Sequence, residues 1–274
     1  MSIEQIVVLA IVQGITEFLP ISSSGHLILI PALTGWPDQG LITDVMVHVG
    51  SLFAILVYFW RDVLTILKGC VDLARLRWTW AARLAAYIIV GTIPAVVVGL
   101  IFKLTGFLDY IRGVEIVAWN AVIFGILLYV ADAFGPRLKS MAEMRFGPAI
   151  IIGIAQSLAL VPGTSRSGIT MTAARAMGFR RDESARFSFL LGVPAISAAG
   201  LLTFLEAYET GEPIPTDAFY AAGLTFFSAL AAIAFLMAIV KRMSFLPFVI
   251  YRLALALALF ALIYGWIPGV APPA

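Results

Sequence analysis

Gln13-Gly14-Ile15-Thr16-Glu17-Phe18-Leu19-Pro20-Ile21-Ser22-Ser23-Ser24-Gly25-His26 and Pro162-Gly163-Thr164-Ser165-Arg166-Ser167-Gly168-Ile169-Thr170 are the two stretches on which the fold of this sequence turns. Each lies in the middle of an apolar run, 3 to 34 and 147 to 178, and breaks it with proline, glycine and hydroxyl side chains. About 20 apolar residues are needed to cross ~30 Å of hydrocarbon, and each half of either run falls short. Irregular backbone at that depth is tolerated only where protein or a wet cavity surrounds it. Both stretches are therefore expected to be re-entrant helical hairpins whose tips meet inside a bundle.

The rest of the chain supplies the bundle. Of 274 residues, 61% are hydrophobic and 12% charged, with a mean hydropathy of +1.00; a soluble domain carries about 25% charge. Six segments read as spans: 42 to 60, 83 to 103, 114 to 134, 184 to 205, 218 to 240 and 245 to 267. The fold class is thus all-α integral membrane, an inverted-repeat bundle of about six transmembrane helices plus two re-entrant helical hairpins, in one polytopic domain over 1 to 274. The stretch 62 to 78, with Lys68, Arg75 and Arg77 among Leu and Val, reads as an interfacial helix suited to an anionic leaflet. Cys70 stands alone, so no internal disulfide forms and it reads as filler. Met1 to Pro20 lacks a basic n-region and a cleavage site, so it is expected to stay in the mature protein. A net charge of +2 says little about partners, and no nucleic acid is expected among them.

Lysine and arginine set the orientation. Arg61, Lys68, Arg75, Arg77 and Arg83 share one loop; Arg137, Lys139 and Arg145 a second; Arg175, Arg180, Arg181 and Arg186 flank a third; Lys241 and Arg242 sit in a fourth. Threading six spans puts all four on one side, which the positive-inside rule assigns to the cytoplasm. The opposite connections hold Lys103 and Arg112 on one and only the acids Glu206, Glu209, Glu212 and Asp217 on another, and both termini fall outside. A hairpin makes no net crossing, so three spans between the two hairpins mean that they enter from opposite faces. The halves, about 1–140 and 141–274, are inverted, and an offset of 143 superposes Ile11 on Ile154, Gln13 on Gln156, Ser22 on Ser165, Ser24 on Ser167 and Gly25 on Gly168. Inverted repeats with interrupted helices put a site near the midplane, where half-helix amino ends face anions.

Gln13 and Glu17 are four apart and share one helix face. A carboxylate at that depth needs a cation, so Glu17 calls for a bound divalent metal, Arg166 or His26, unless it pairs with an arginine merely to fix packing. His26 can equally be a core imidazole bonded to a carbonyl. Capping accounts for one of Ser22, Ser23 and Ser24, but not for three beside Glu and His. In the second turn, Arg166 among hydroxyls at a helix start suits a phosphate, because a guanidinium forks onto its oxygens while the helix end supplies N–H donors.

The stretches Gln13 to Leu27 and Leu160 to Thr170 resemble the two signature segments of the undecaprenyl pyrophosphate phosphatase family, the bacitracin-resistance type of integral membrane phosphatase. The likeness runs through Arg186-Phe187-Ser188-Phe189-Leu190 and Phe245-Leu246-Pro247-Phe248 with Tyr251-Arg252. It implies hydrolysis of undecaprenyl diphosphate to undecaprenyl phosphate and inorganic phosphate, recycling the lipid carrier for peptidoglycan synthesis in the bacterial cytoplasmic (inner) membrane. The family's signatures fall on Gln13 and Glu17, on Ser22, Ser23, Ser24 and His26, and on Ser165 and Arg166. Gln13 is the variant that ligates a metal but cannot act as a base, which leaves that task to Glu17 or His26.

The expected mechanism holds a divalent cation, Mg²⁺ or Ca²⁺, on Glu17 and Gln13. Arg166, Ser165, Ser167 and Thr170, with Ser22 and Ser24, hold the phosphates. Ser23, His26 or a water attacks the terminal phosphorus, and His26 or Glu17 takes the proton. The site is expected to open to the periplasmic side. A second class, a polyprenyl-phosphate transporter or flippase, also fits inverted halves and broken helices. Ser24-Gly25-His26 weakly resembles another membrane lipid-phosphatase family, but a second histidine for its nucleophile is missing: His48, the only other one, is expected to be structural. Small residues such as Gly91, Gly99, Gly192 and Gly200 allow close packing within one chain or between two copies in a homodimer.

Overall fold

The computed structural model describes residues 1–37, 39–111, 113–210 and 214–266, without the side chains of Ser24, Ile28, Ala32, Leu33, Leu108, Asp109, Glu206, Tyr208 and Thr210. The expected charges of Arg112, Glu206 and Glu212 and the last residue of the sixth span therefore lie outside the described residues. Among the described residues twelve helices follow in order: α1 (Ile3–Phe18), α2 (Ser23–Thr34), α3 (Leu41–Tyr58), α4 (Trp60–Ala74), α5 (Trp80–Thr105), α6 (Phe107–Tyr110), α7 (Val114–Phe134), α8 (Phe146–Ser157), α9 (Arg166–Ala176), α10 (Arg181–Thr210), α11 (Thr216–Ile239) and α12 (Leu246–Ile263). Short 3-10 turns at Met141–Glu143 and Leu158–Leu160 complete them.

Helices α3, α5, α7, α10, α11 and α12 are each long and apolar enough to span a membrane, at the places the hydropathy predicts. Their outward faces stay apolar, as Val97 and Leu100 on α5 and Phe227 and Phe235 on α11 illustrate; lipid, not water, is the solvent such a surface fits. Helix α4 carries Leu64, Leu67 and Val71 exposed and packs on α5 through buried Gly69.

Close crossings hold the bundle, as expected where apolar burial gives no drive between helices and van der Waals packing must. A Cβ at Gly50 of α3 would stand 2.2 Å from the Ala222 carbonyl oxygen of α11, and one at Gly153 of α8 would stand 2.3 Å from the Gly91 carbonyl oxygen of α5. Backbone cannot yield as a side-chain tip can. Gly153→Leu is accordingly expected to wedge α8 off α5 at a cost of several kcal/mol, above the ~1–3 kcal/mol of ordinary overpacking, and to abolish a monodisperse peak on size exclusion in detergent. Gly91, Gly99, Gly192 and Gly200 all face neighbours inside the chain: Gly91 meets Leu191, Gly99 meets Leu160, Gly192 meets Arg166 and Gly200 meets Val49.

The end of the bundle that carries the basic loops is tied by one carboxylate. Asp132 of α7 accepts from Arg175 Nε (3.0 Å) and Arg181 Nε (2.7 Å) on one oxygen, and from Arg181 Nη2 (2.9 Å) and the Phe245 amide (3.0 Å) on the other. Arg175 is fully buried and also donates to the carbonyls of Gly135, Pro136 and Phe179. Arg175 and Arg181, which flank the third basic loop, thereby pin the ends of α9 and α10 to α7 and α12. Arg186 likewise pairs with Asp62.

Candidate functional site

Proline ends the first arm of each broken pair. Leu19, ahead of Pro20, is driven to extended backbone (φ −68°, ψ 142°), and Val161, ahead of Pro162, follows suit (φ −83°, ψ 122°). The chain restarts through a serine in the left-handed half of the map, Ser22 at φ +77° and Ser165 at φ +72°. Such a value costs a non-glycine residue roughly 1–2 kcal/mol and persists only where the surroundings over-determine it. Helices α2 and α9 open on the next residue, Ser23 and Arg166. Those two residues therefore hold the same place in turns 143 residues apart, and both line one cleft. Two helix amino ends open there, each worth about half a positive charge, which favours an anion.

The tips touch. Glu17 Oε1 accepts from Arg166 Nη2 at 3.0 Å, while Glu17 Oε2 accepts from Ser23 Oγ at 2.7 Å and from Gln13 Nε2 at 3.3 Å. Ser167 Oγ donates to the Leu19 carbonyl at 3.3 Å. Of the three partners expected for Glu17, the protein supplies Arg166. The guanidinium also donates from Nη1 to the Ser188 carbonyl (3.1 Å), and its buried Nε has no partner among the described residues. A serine hydroxyl within hydrogen-bond reach of a carboxylate is the geometry that general-base activation of a nucleophile requires.

The cleft is a cavity of about 370 Å³, within the usual range for small-ligand sites. Glu17, Ser23, Ser165 and Arg166 form its polar pole. Its walls are Leu41, Asp44, Val45 and His48 of α3, Ala95 of α5, and Ala195, Ile196, Ala199 and Gly200 of α10, with Gln156, Ala159 and Leu160 below the second turn. These come from the halves of α3, α5 and α10 that point away from the basic loops. A charged head meeting an apolar wall is the shape an amphiphile requires.

His48, expected to be structural, lies on the cleft wall. Its Nδ1 donates to the Asp44 carbonyl (2.7 Å), which turns Nε2 into the cleft, 3.6 Å from Glu17 Oε2. The signal was present, since an ionisable ring on a span is a functional candidate by default. His26 goes the other way. Its Nδ1 donates to the Ser22 carbonyl (2.7 Å), its Nε2 meets the Tyr251 hydroxyl (2.6 Å), and the two rings stack. It lines a separate apolar groove with Ile15, Leu19 and Phe248, and does not join Glu17. Ser22 is buried behind the turn, and Thr170 donates to the Arg166 carbonyl (2.8 Å) and shares a 2.6 Å bond with Ser188. Ser167 and Thr170 thus brace the turn while Ser165 faces the cleft. The side chain of Ser24 lies outside the described residues.

One residue that sequence reasoning quoted but gave no role holds the two turns together. Arg252 of α12 is fully buried, and the groups its guanidinium meets are carbonyls: Pro20 (3.4 Å) on the first turn, Gly163 (2.9 Å) and Thr164 (3.1 Å) on the second, Asn120 (3.0 Å) and Ala121 (3.2 Å) on α7. Each charge-assisted bond is worth about 1.5–3 kcal/mol. Arg252→Lys keeps the charge but not the planar fork; melting in detergent is expected to drop by several degrees, and turnover to fall with it.

Known proteins resemble this chain closely. The family model described as bacitracin resistance protein BacA matches residues 6–258. A protein named undecaprenyl-diphosphatase from Erythrobacter litoralis is 48% identical, over 95% of this chain and 99% of its own length. The protein of that name from Ruegeria pomeroyi is 46% identical, over 97% and 100%, and that from Chromohalobacter salexigens 49%, over 93% and 96%.

Proposed function

This chain belongs to the bacitracin resistance BacA family, and from that premise we propose that its cleft hydrolyses undecaprenyl diphosphate to undecaprenyl phosphate and inorganic phosphate. The observation that carries the reading is the run Ser23 to Glu17 to Arg166, closed by bonds of 2.7 and 3.0 Å where the two broken helices meet. The relatives reported above carry an enzyme's name, and the transport reading gains no support from them.

Ser23 Oγ attacks the terminal phosphorus as its proton passes to Glu17 Oε2, and the bridging P–O bond breaks to release the lipid monophosphate. Water then cleaves the phosphoserine, returning the proton to Ser23 and freeing inorganic phosphate. Arg166 lies across from the nucleophile, where it stabilises charge spread over the phosphoryl oxygens; in phosphoryl transfer that stabilisation matters more than covalent chemistry. Ser165 and the amino ends of α2 and α9 add donors. Ser22 is buried behind the first turn, and His26, held on Tyr251, supports its backbone.

The donor set suits a divalent cation that arrives with its substrate. Among the described residues no group of three His, Cys, Asp or Glu side chains could cage a metal by itself. Yet two carboxylates, those of Glu17 and Asp44, line the cleft. Mg²⁺ is commonly held by one or two carboxylates plus substrate phosphates. Glu17 and the Oε1 of buried Gln13, which has no partner among the described residues, would hold it. When bound, it supplies charge neutralisation of the phosphates.

The position of the cleft among helix ends that lead to Asp217 and Glu209, away from the Asp132 and Arg186 ion pairs, supports an opening on the periplasmic face of the inner membrane. The repeated positive φ at Ser22 and Ser165 supports the inverted-repeat, re-entrant reading. The test is phosphate release from undecaprenyl diphosphate by purified protein in micelles. Micelles have no two sides, so release there is hydrolysis, and its absence with Mg²⁺ or Ca²⁺ present removes the proposal.

A further inference from the structure

Gln156 is 2% exposed, lines the cleft, and neither atom of its carboxamide has a hydrogen-bond partner among the described residues. Its counterpart at the 143-residue offset is Gln13, whose Nε2 donates to Glu17 one turn on. One turn after Gln156 stands Leu160. The second arm therefore keeps the amide and lacks the carboxylate that would satisfy it. Ala95, Ala159, Leu160 and Ile196, which line the same cleft, carry no polar side-chain atom. A buried amide left unmet is destabilising, and native proteins retain such a group where something else meets it.

We propose that Gln156 is a substrate-contacting residue, its Nε2 donating to an oxygen of the diphosphate that Arg166 grips. This rests on the hydrolase reading above. A carboxamide suits the place because it donates without adding charge, in a cleft whose reaction frees an anion that must leave.

The test compares wild type with Gln156→Leu and Gln156→Glu, in detergent, on undecaprenyl diphosphate, with inorganic pyrophosphate as a tail-free competitor. Gln156→Leu is expected to raise KM and the pyrophosphate inhibition constant about tenfold or more, the loss of one hydrogen bond to a charged group. Its kcat is expected to stay within about threefold, as for a residue that binds ground and transition states alike. Melting without substrate should hold or rise, because an unmet amide has been replaced by an apolar group of similar size. Gln156→Glu, nearly the same shape with a repelling charge, should raise KM further. The inference is overturned if KM and the inhibition constant stay put in both variants, or if Gln156→Leu lowers the melting temperature and kcat together, the mark of a structural bond. Wild-type protein that releases no phosphate would fail the hydrolase reading before any variant is compared, whereas an active wild type with unchanged variants fails only the role of Gln156.

Discussion

Arg166→Ala is expected to lower phosphate release by at least about 10²-fold, the usual loss when one preorganised electrostatic donor leaves a site. The effect should be larger than that of any hydroxyl other than Ser23's, because Arg166 is the only guanidinium among the described residues on the cleft wall and holds the base as well as the substrate. Removing it also strands Glu17, 6% exposed, without its counter-charge. Breaking a buried pair from one side costs about 3–5 kcal/mol, so melting should fall alongside activity. Arg166→Lys separates the two effects: it restores a charge beside Glu17, hence most of the stability, but a point charge cannot fork onto phosphate. Glu17→Ala should match the activity loss of Arg166→Ala. Near wild-type release by both alanine variants, measured as inorganic phosphate in detergent, would remove the site assignment.

Ser23→Ala is the sharper chemical probe. Ser23 is partly exposed and bonds only at its tip, and Glu17 Oε2 keeps Gln13 Nε2 as a donor after the change. Folding should survive, while release drops about 10³-fold or more if the hydroxyl is the nucleophile, the scale seen when an attacking group is deleted. Rapid quenching of wild type during turnover should give a phosphorylated peptide spanning Ser23, absent from Ser23→Ala. A variant that retains a tenth of the wild-type rate and gives no labelled peptide would point to direct attack by water, with Glu17 as its base.

The contrast between the two histidines marks how much of the site was legible. His26 sits in the signature turn, and its place in the chain argued for chemistry. Yet α2 starts at Ser23 with a tight turn behind it, and the ring falls on the face toward Tyr251, 225 residues away. His48 sits in an ordinary span, and its role depends on α3 passing beside Glu17. Helix period says which residues share a face; it does not say what that face meets. Gln156, Arg252 and Asp132 were hidden for the same reason, since their meaning lies in what surrounds them.

Hydropathy and breaker residues are local properties, so the sequence by itself determined the class of solvent, the six spans, the two interrupted helices and the residues at their tips. A run of apolar side chains must become a helix in lipid, where each backbone group needs an internal partner, and Leu19-Pro20 and Val161-Pro162 must break one. Only the tertiary structure decided that Arg166 closes on Glu17 across 149 positions of chain, that Arg252 clasps both turns, and which hydroxyls face the cleft. Those outcomes follow from how helices cross, at points such as Gly91 against Gly153, and a crossing is a property of two surfaces that no single segment contains.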